Sequence, residues 1–366
     1  MRVLLTSGAS YAPPRGGSTR SNLAWLRTLV ASGHECRVVA AADPRYIREQ
    51  PTISYDSGVV IFTADDPAAE RELLRRQIAE FDPEVVLVSS EDLSHLLLRE
   101  AHHAAAGPVV YIAHTPQFFP FGPESWNPDA QATDLVKRSA AIIAIGEHMA
   151  GYIERAIGVH PRVIHPPIYG AGPFTNSAAF THEFVTMINP SAVKGISIFL
   201  DVARALPQVR FAALPGWATT SADREALLAL PNVTVLEPVR DIDDLLRRTR
   251  VLLMPSLWYE GFGLIVTEAM LRGIPVIASD SGGLQEAKHG TGYVIPVRPI
   301  ARYESAYDDR HMPRSVAPEQ DVAPWIAATE ELTHDAAAWR HESERSFAMA
   351  TRARVSENRS CVAPML

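Results

Sequence analysis

The stretch from Pro255 to Ala269 reads PSLWYEGFGLIVTEA and carries two glutamates that bracket a pair of glycines. The apolar run from Val251 to Pro255 is typical of a buried strand, and apolar residues from Leu264 to Arg272 recur at helical spacing. The glycines therefore stand where a strand gives way to a helix. Backbone N–H groups at a helix start have no partner within the helix and face a partial positive charge, so this junction suits a phosphate.

The two carboxylates of this stretch occupy different positions, Glu260 in the loop and Glu268 one turn inside the helix. We therefore predict that they hold different parts of one extended ligand, although a solvated helix face is the alternative. The residues from Gly273 to Leu284 repeat the sequence of strand and glycine turn. This repetition is typical of consecutive βα units whose loops meet at one edge of a sheet.

With this spacing the segment resembles the E-x7-E motif of the family 4 retaining glycosyltransferases of the GT-B fold. The resemblance implies an α/β chain with two Rossmann-like, doubly wound domains facing each other across a cleft. It also implies transfer of a sugar, with retention of configuration, from a nucleoside diphosphate sugar to an acceptor. It covers most of the chain and is most specific from Asn189 to Pro296.

Short apolar runs alternate with longer amphipathic segments along the rest of the chain, which predicts βα units and mainly parallel sheets. The predicted strands are Val3–Thr6, Cys36–Ala41, Val59–Thr63, Val85–Ser89, Val109–Ala113, Ala141–Ile145, Phe184–Ile188, Val209–Leu214, Val233–Pro238, Val251–Pro255, Val276–Ser279 and Tyr293–Ile295. Between the two series, Val163 to Phe180 is rich in proline and glycine and is predicted to be a connector.

We accordingly expect residues 1–170 to form an N-terminal, acceptor-binding Rossmann-like domain. Residues 171–345 are expected to form a C-terminal, nucleotide-sugar-binding Rossmann-like domain. In the family the final helix crosses back onto the first domain, which implies the same for residues 346–366. Residues 297–320 interrupt the alternation with prolines among charged and aromatic residues, so a long surface loop of open function is predicted there.

Composition narrows the range of partners and compartments. The net charge of −8 over 366 residues argues against nucleic acid, which demands a basic face. Two distant cysteines, Cys36 and Cys361, cannot make a disulfide framework, so a reducing, cytoplasmic compartment is expected. No apolar run approaches the roughly 20 residues that cross a bilayer. The arginine-rich segment Glu70 to Phe81 offers at most peripheral membrane contact, and an ordinary amphipathic surface helix is favoured.

Lys194 lies in the segment Asn189 to Gly195, which follows a predicted strand and opens a helix. Only three of the 34 basic residues are lysines, which makes each a stronger candidate for a specific role. A positioned ammonium stabilises the negative charge that grows on a leaving diphosphate. In the family a lysine-glycine pair does this work, usually with an arginine several residues earlier. Here Met187, Ile188 and Asn189 stand there instead, and which basic group replaces the arginine stays open.

Two further candidates lie in the first half of the chain. Gly16 and Gly17 precede a helix that starts near Ser18, where an ordinary βα turn capped by Ser18 is the alternative to anion binding. The resemblance places these glycines against the donor diphosphate and the acceptor. His114 ends the strand Val109–Ala113 and resembles the histidine beside the donor's reactive carbon, so it is predicted to position donor or acceptor.

Other strand ends in the second half are predicted to hold the base of the nucleotide. Trp217 or Arg240 can stack on it, with core packing and a solvated arginine as alternatives. Beside His114, the aromatic loop from Thr115 to Trp126 can line an apolar acceptor pocket or pack against the neighbouring domain. The predicted catalytic residues are His114, Lys194 and Glu260, and the predicted donor-binding residues are Gly16, Gly17, Asn189, Lys194, Gly216, Trp217, Arg240, Glu260, Gly261, Phe262, Gly263, Leu264 and Glu268.

Neither a metal nor a cofactor is predicted. The acidic cluster of Asp241, Asp243 and Asp244 opens a helix, where acids interact favourably with the dipole, and no histidine or cysteine cluster has ligand spacing. The resemblance implies that protein groups stabilise the leaving group. The nucleoside diphosphate sugar, with UDP favoured as its nucleotide, is then a co-substrate.

The acceptor is left open by the sequence. A small molecule or oligosaccharide, as in natural-product biosynthesis, is favoured over a lipid-linked or cell-surface glycan. Two other functions remain for the same fold: a non-catalytic nucleotide-sugar binder, and another enzyme such as a sugar-nucleotide epimerase or a phosphorylase.

Overall fold

The structure is a computed structural model that describes residues 1–14, 16–43, 52–170, 172–239 and 241–360, without the side chains of residues 355–360. The chain divides into two compact units, Met1–Gly170 and Ala171–Leu366. None of the helices in the described ranges is long and apolar enough to cross a membrane.

The first unit is a parallel sheet flanked by helices. Its elements are β1 (Arg2–Ser7), α1 (Gly16–Ala31), β2 (Glu35–Ala41), β3 (Ile53–Asp56), β4 (Val59–Ala64), α2 (Pro67–Phe81), β5 (Val85–Ser89), α3 (Leu96–Ala104), β6 (Val109–Ala113), α4 (Ala130–Arg138), β7 (Ala141–Ala144), α5 (Glu147–Ile157) and β8 (Arg162–Val163). The strand order is β3-β4-β2-β1-β5-β6-β7-β8, and only β3 runs antiparallel to its neighbour.

The second unit repeats this architecture. Its elements are β9 (Phe184–Ile188), α6 (Ile196–Ala205), β10 (Phe211–Leu214), α7 (Ser221–Leu228), β11 (Val233–Val235), α8 (Ile242–Leu246), β12 (Thr249–Met254), α9 (Leu264–Met270), β13 (Val276–Ser279), α10 (Leu284–Ala287), β14 (Val294–Ile295), β15 (Arg302–Tyr307), β16 (Pro313–Val316), α11 (Ala323–His334) and α12 (Ala336–Ser360). Six strands form a parallel sheet in the order β11-β10-β9-β12-β13-β14.

Both sheets are doubly wound, because the chain leaves the centre in one direction and then returns to build the other side. The reversal falls between β1 and β5 in the first unit and between β9 and β12 in the second. In open α/β sheets, ligands bind outside the carboxyl ends of the strands at such a reversal. Each unit therefore presents one place where a site is expected.

The predicted strands are confirmed, with small shifts of their ends. Continuous apolar runs mark them because parallel strands are covered on both faces. The helix predicted to start near Ser18 is α1, and its Leu23, Leu26 and Leu29 are buried, each at most 8% exposed. In the second unit, the core gathers around the fully buried Trp325 and the edge-to-face pair of Phe199 and Phe211.

The surface loop predicted for residues 297–320 is only partly a loop. Residues 302–316 form an antiparallel hairpin, β15–β16, whose exposed polar sequence lacks the apolar signal of a buried strand. Residues 346–360 belong to α12, which begins earlier, at Ala336. Their return to the first domain stays a prediction.

Candidate functional site

The glutamate motif connects β12 to α9, as predicted. Gly263 occupies the position before the helix with φ of +108°, a conformation that side chains rarely adopt. A Cβ atom added there would lie 2.7 Å from Leu284 Cδ2. Phe262 is 3% exposed, so its phenyl ring packs inside the protein and does not form a surface for a ligand.

Glu260 is held in place by neighbouring side chains and by the following glycine turn. Its Oε1 atom accepts hydrogen bonds from Lys194 Nζ at 2.5 Å and from Ser256 Oγ at 2.7 Å. Its carbonyl accepts from Gly283 N at 2.8 Å, so the two glycine turns do meet at one sheet edge. Glu260 is only 9% exposed, which excludes a solvated helix face.

Lys194 ends a 3-10 turn, Ala192–Lys194, between β9 and α6. The next residue, Gly195, has φ of +79°, and a Cβ atom there would collide with the Pro255 carbonyl. The Val193 carbonyl accepts hydrogen bonds from the N–H groups of Leu257 and Trp258, at 3.0 and 2.7 Å. The lysine loop and the glutamate loop are thus fastened together on the two sides of the β9/β12 reversal.

Two indoles flank the Lys194–Glu260 pair. Lys194 Nζ lies 5.9 Å from the centre of the Trp217 ring and 5.5 Å from that of Trp258, both within cation–π range. The two rings make an edge-to-face contact at 5.8 Å. Trp258 is buried, but Trp217 is 42% exposed. Core packing is therefore the wrong interpretation of Trp217, which presents an aromatic surface beside a cation.

Asn189 follows β9 and supports the loop after β10. Its Oδ1 atom accepts a hydrogen bond from Ala218 N at 3.0 Å. Its Nδ2 atom is buried and finds no hydrogen-bond acceptor in the described part of the chain. A buried donor without a partner costs free energy, so an acceptor oxygen on a ligand would stabilise it. Gly216 lies against this amide, since a Cβ there would stand 2.5 Å from Asn189 Oδ1.

Glu268 lies within α9 and is 5% exposed, so the alternative of a solvated helix face is excluded for it too. Its carbonyl accepts a hydrogen bond from Arg272 Nη1 at 2.7 Å. Arg272 also pairs with Asp243 near the start of α8. The helix-opening interpretation of the acidic cluster is confirmed there, because Asp241 precedes α8 and accepts from Asp243 N at 2.9 Å.

In the first unit, His114 follows β6 at the sheet edge and is 4% exposed. Its Nε2 atom lies 2.8 Å from Asn22 Oδ1. The Asn22 amide group donates to Tyr11 Oη at 2.7 Å and to Ser89 Oγ at 2.9 Å, which fixes its oxygen toward the histidine. His114 therefore carries its proton on Nε2 and leaves Nδ1 as an acceptor.

Burial lowers the pKa of His114, opposed by the nearby carboxylate of Glu91. The imidazole is therefore neutral at neutral pH, which suits a group that accepts a hydrogen bond. Asn22 and Ser89 were not identified from the sequence. The available signal was a polar residue on the apolar face of α1, one position before Leu23.

Gly16 and Gly17 form the first turn of α1, which begins two residues earlier than predicted. The Gly17 carbonyl accepts from Ser21 Oγ at 2.7 Å, and both glycines are exposed. The alternative in which Ser18 caps the helix is therefore wrong. Arg240, the other predicted base-stacking residue, lies outside the described residues.

The aromatic loop is mainly a packing element. Phe119 and Phe121 are 0% and 6% exposed, and Phe119 contacts the rings of Tyr111 and Tyr152. These two residues therefore pack within the first unit and do not line an acceptor pocket. In the described part of the chain, no group of three or more His, Cys, Asp or Glu side chains is placed to hold a metal ion.

The structure thus brings together five residues from three loops of the second unit. Lys194, Glu260 and Trp217 were predicted as site residues, whereas Ser256 and Trp258 were quoted within the motif without a role. Their position after β12 was available as a signal. Two glycine turns, a cation, a carboxylate and an exposed indole at the end of a parallel sheet form a site suited to a phosphorylated sugar ligand.

Comparison with known proteins agrees with this architecture. A family model described as Glycosyltransferase Family 4 matches residues 15–169, and one described as Glycosyl transferases group 1 matches residues 181–307. Comparison with curated protein sequences gives no match.

Three solved structures are similar over the whole chain. HepE from Anabaena in complex with UDP-glucose has a TM-score of 0.70 at 18% identity, covering 99% of this chain and 98% of that one. WaaG, a glycosyltransferase involved in lipopolysaccharide biosynthesis, has a TM-score of 0.67 at 13% identity, with 99% and 98% covered. A glycosyltransferase from Rickettsia africae has a TM-score of 0.59 at 11% identity, with 99% of both chains covered.

These similarities show that the fold is GT-B, with two Rossmann-like domains. The two family models together cover most of the sequence, and the chain belongs to the GT4-like family of glycosyltransferases.

Proposed function

We propose that this glycosyltransferase moves a sugar, with retention of configuration, from a nucleoside diphosphate sugar to a small-molecule or oligosaccharide acceptor, and that UDP is the preferred nucleotide. The observation that carries the proposal is the contact between Lys194 and Glu260 at the β9/β12 reversal. It joins Lys194, predicted to stabilise the leaving diphosphate, to Glu260, to which we assign the hydroxyl groups of the donor sugar.

The proposed step is a front-face substitution. The bond between the anomeric carbon and the diphosphate oxygen breaks as the acceptor oxygen bonds to the same carbon. The acceptor proton passes to the departing phosphate oxygen, so no protein nucleophile is needed. Negative charge grows on the diphosphate, and the ammonium of Lys194 stabilises it; one such donor is worth about 100 to 1,000-fold in rate.

The ion pair with Glu260 explains how the Lys194 side chain is held in position at the proposed diphosphate site. Its charge is balanced by Glu260, and the side chains of the two residues are only 11% and 12% exposed. When a diphosphate replaces Glu260 as the partner of Lys194, Glu260 keeps the hydrogen bond from Ser256 and accepts new hydrogen bonds from sugar hydroxyl groups. Neither charge is then left buried without a partner, a situation that would cost several kcal/mol.

The other donor contacts follow from the same loops. We assign Trp217 to stacking, the free Asn189 amide donor and the backbone of Gly216 to polar contacts, the Gly261–Leu264 segment to the phosphates, and Glu268 to the ribose. HepE supports UDP as the nucleotide, since it was solved with UDP-glucose. In the first unit, His114 is assigned to positioning donor or acceptor, and Gly16 and Gly17 at the exposed start of α1 are assigned to the donor diphosphate and the acceptor.

The proposal is tested by thermal unfolding with UDP, GDP, ADP and dTDP, for the wild type, Glu268→Ala and the exposed control Glu344→Ala. A ligand at 100 times its dissociation constant adds about 2.7 kcal/mol to stability, so one nucleotide is expected to raise the melting temperature in the wild type and the control. Glu268→Ala should lose this shift. An equal shift in all three proteins would contradict the ribose assignment, and no shift in any would contradict nucleotide binding.

The chemistry is tested with the sugar donors of the nucleotide that binds. Release of free nucleotide that depends on the acceptor, with a product of unchanged anomeric configuration, is the expected result. Activity retained in EDTA is expected from the metal-independent mechanism. Donor binding without nucleotide release would instead favour a non-catalytic nucleotide-sugar binder. Nucleotide release measured with a small aglycone and with a lipid-linked glycan as acceptor distinguishes the two acceptor classes.

A further inference from the structure

The tip of the β15–β16 hairpin contacts the loop from Gly216 to Ser221, which follows β10 and carries Trp217. Arg310 Nε donates to the Trp217 carbonyl at 3.2 Å, and its Nη2 atom donates to the Gly216 carbonyl at 3.4 Å. Asp309 Oδ2 accepts from Ser221 N, the first residue of α7, at 2.9 Å. This hydrogen bond lowers the pKa of Asp309. Two adjacent charged residues therefore hold both ends of the loop from Gly216 to Ser221.

The tip of the hairpin is also closed by hydrogen bonds of its own. Asp308 Oδ1 accepts from Arg310 N at 2.8 Å and from Met312 N at 2.9 Å, and Asp308 N donates to the Met312 carbonyl. At the other end of the hairpin, Gln320 exchanges two hydrogen bonds with the backbone of Arg298. A turn closed in this way presents Arg310 in a fixed geometry.

The opposite side of the same loop is fastened by the strand-end residues. Asn189 accepts from Ala218 N, and Thr219 Oγ1 accepts from Gly216 N at 2.9 Å. The backbone of the loop from Gly216 to Ser221 is thus hydrogen-bonded on two sides. The Trp217 indole remains 42% exposed, with its ring centre 5.8 Å from that of Trp258. Hydrogen bonds from an exposed tip add little to global stability, so their effect falls on the geometry of the loop.

We propose that the hairpin is a strut for donor binding, in which Arg310 and Asp309 are positioning residues that hold Trp217 beside Lys194 for the nucleoside diphosphate part of the donor. This inference rests on the proposed donor site. It assigns a role to residues 302–316, for which the sequence offered none. It also predicts that the strut acts on donor affinity and leaves the chemical step unchanged.

The test measures UDP binding by calorimetry and by tryptophan fluorescence for the wild type, Arg310→Ala, Asp309→Ala, Asp309→Asn and Arg314→Ala. Arg314 is an exposed arginine of the same hairpin and serves as the matched control. Arg310→Ala and Asp309→Ala are expected to weaken UDP binding about tenfold, the order of one or two hydrogen bonds to a charged group. Asp309→Asn keeps an acceptor oxygen for Ser221 N and should bind UDP nearly as the wild type does.

A KM for the donor that rises in Arg310→Ala while kcat stays within about twofold would support the positioning role. The role is contradicted if Arg310→Ala and Asp309→Ala bind UDP as Arg314→Ala does. It is also contradicted if their affinity falls only in step with a large loss of melting temperature, because the tip would then support folding alone. A wild type that binds none of the four nucleoside diphosphates would instead overturn the proposed function on which the strut depends.

Discussion

At the scale of single residues, the environment of His114 sets its chemistry. Its ring contacts Trp25 on one side, and its Nε2–H group is directed at Asn22. A strand-end histidine is visible in the sequence, but the partner stands 92 residues earlier in α1. Because the tautomer depends on that partner, the sequence predicted the residue without predicting which ring nitrogen faces a ligand.

We predict that His114 contributes to the loss of stability in mild acid. Its pKa is lowered in the folded state by burial, so the unfolded chain binds the proton more readily. The contribution is complete above the ordinary pKa of about 6.5 and is lost as the pH falls from there through the folded value. Urea unfolding of the wild type and His114→Gln between pH 7.5 and 5 measures it.

The expected result is a smaller decrease of unfolding free energy with acidification in His114→Gln than in the wild type. His95 and His102, whose pKa values are also lowered by burial, remain in both proteins and cancel in the comparison. Equal decreases in the two proteins would show that His114 is solvated rather than buried.

At the scale of elements, a buried ion pair joins the end of α10 to α12. Lys288 is fully buried and donates to the Val276 carbonyl, with Glu342 Oε1 at 3.6 Å from its Nζ. Desolvation lowers the pKa of Lys288 to about 8, although Glu342 opposes the shift. This lysine is buried inside the second unit, whereas Lys194 lies at the proposed donor site, and the sequence alone could not separate the two.

We predict that this lysine makes the protein more stable in mild alkali than at neutral pH. Between pH 8 and 10.5 the unfolded chain still holds the Lys288 proton and the folded chain does not, so this group raises the unfolding free energy with pH, by about 3 kcal/mol over the window. Burial raises the pKa of Cys36 and of several tyrosines, which lowers the unfolding free energy over the same range, so the contribution of Lys288 is read as a difference between proteins. Urea unfolding between pH 7.5 and 10 should show a change of unfolding free energy with pH that is more positive in the wild type and in the exposed control Lys137→Met than in Lys288→Met. Equal changes in all three proteins would contradict the assignment to Lys288.

The buried parallel strands could be predicted from the sequence, whereas the β15–β16 hairpin could not. Strands such as Val85–Ser89 and Val276–Ser279 are short and apolar up to a final serine, as expected of parallel strands that are buried on both faces. The segment Arg302–Tyr307 alternates polar, charged and aromatic residues and lies mostly exposed. Nothing but pairing with Pro313–Val316 makes it a strand, and pairing does not leave a pattern in composition.

At the scale of the whole molecule, strand order brings residues that are far apart in the sequence together in one site. Lys194 and Glu260 are 66 residues apart, and they meet because β9 and β12 are neighbours, with Thr186 beside Leu252. The motif predicted each residue and its role in the family. The sequence could not predict the direct ion pair, the hydrogen bond from Ser256 or the two flanking indoles. These contacts depend on the strand order, because the chain forms β10 and β11 before it returns to place β12 beside β9.

The central claim is that Lys194 stabilises the departing diphosphate, and release of UDP from a UDP-sugar by the wild type, Lys194→Ala and Lys137→Ala tests it most directly. We expect Lys194→Ala to lower kcat about 100 to 1,000-fold with a smaller change in nucleotide affinity, while Lys137→Ala, altered at an exposed lysine of α4, matches the wild type. Turnover by Lys194→Ala equal to that of Lys137→Ala would contradict the account.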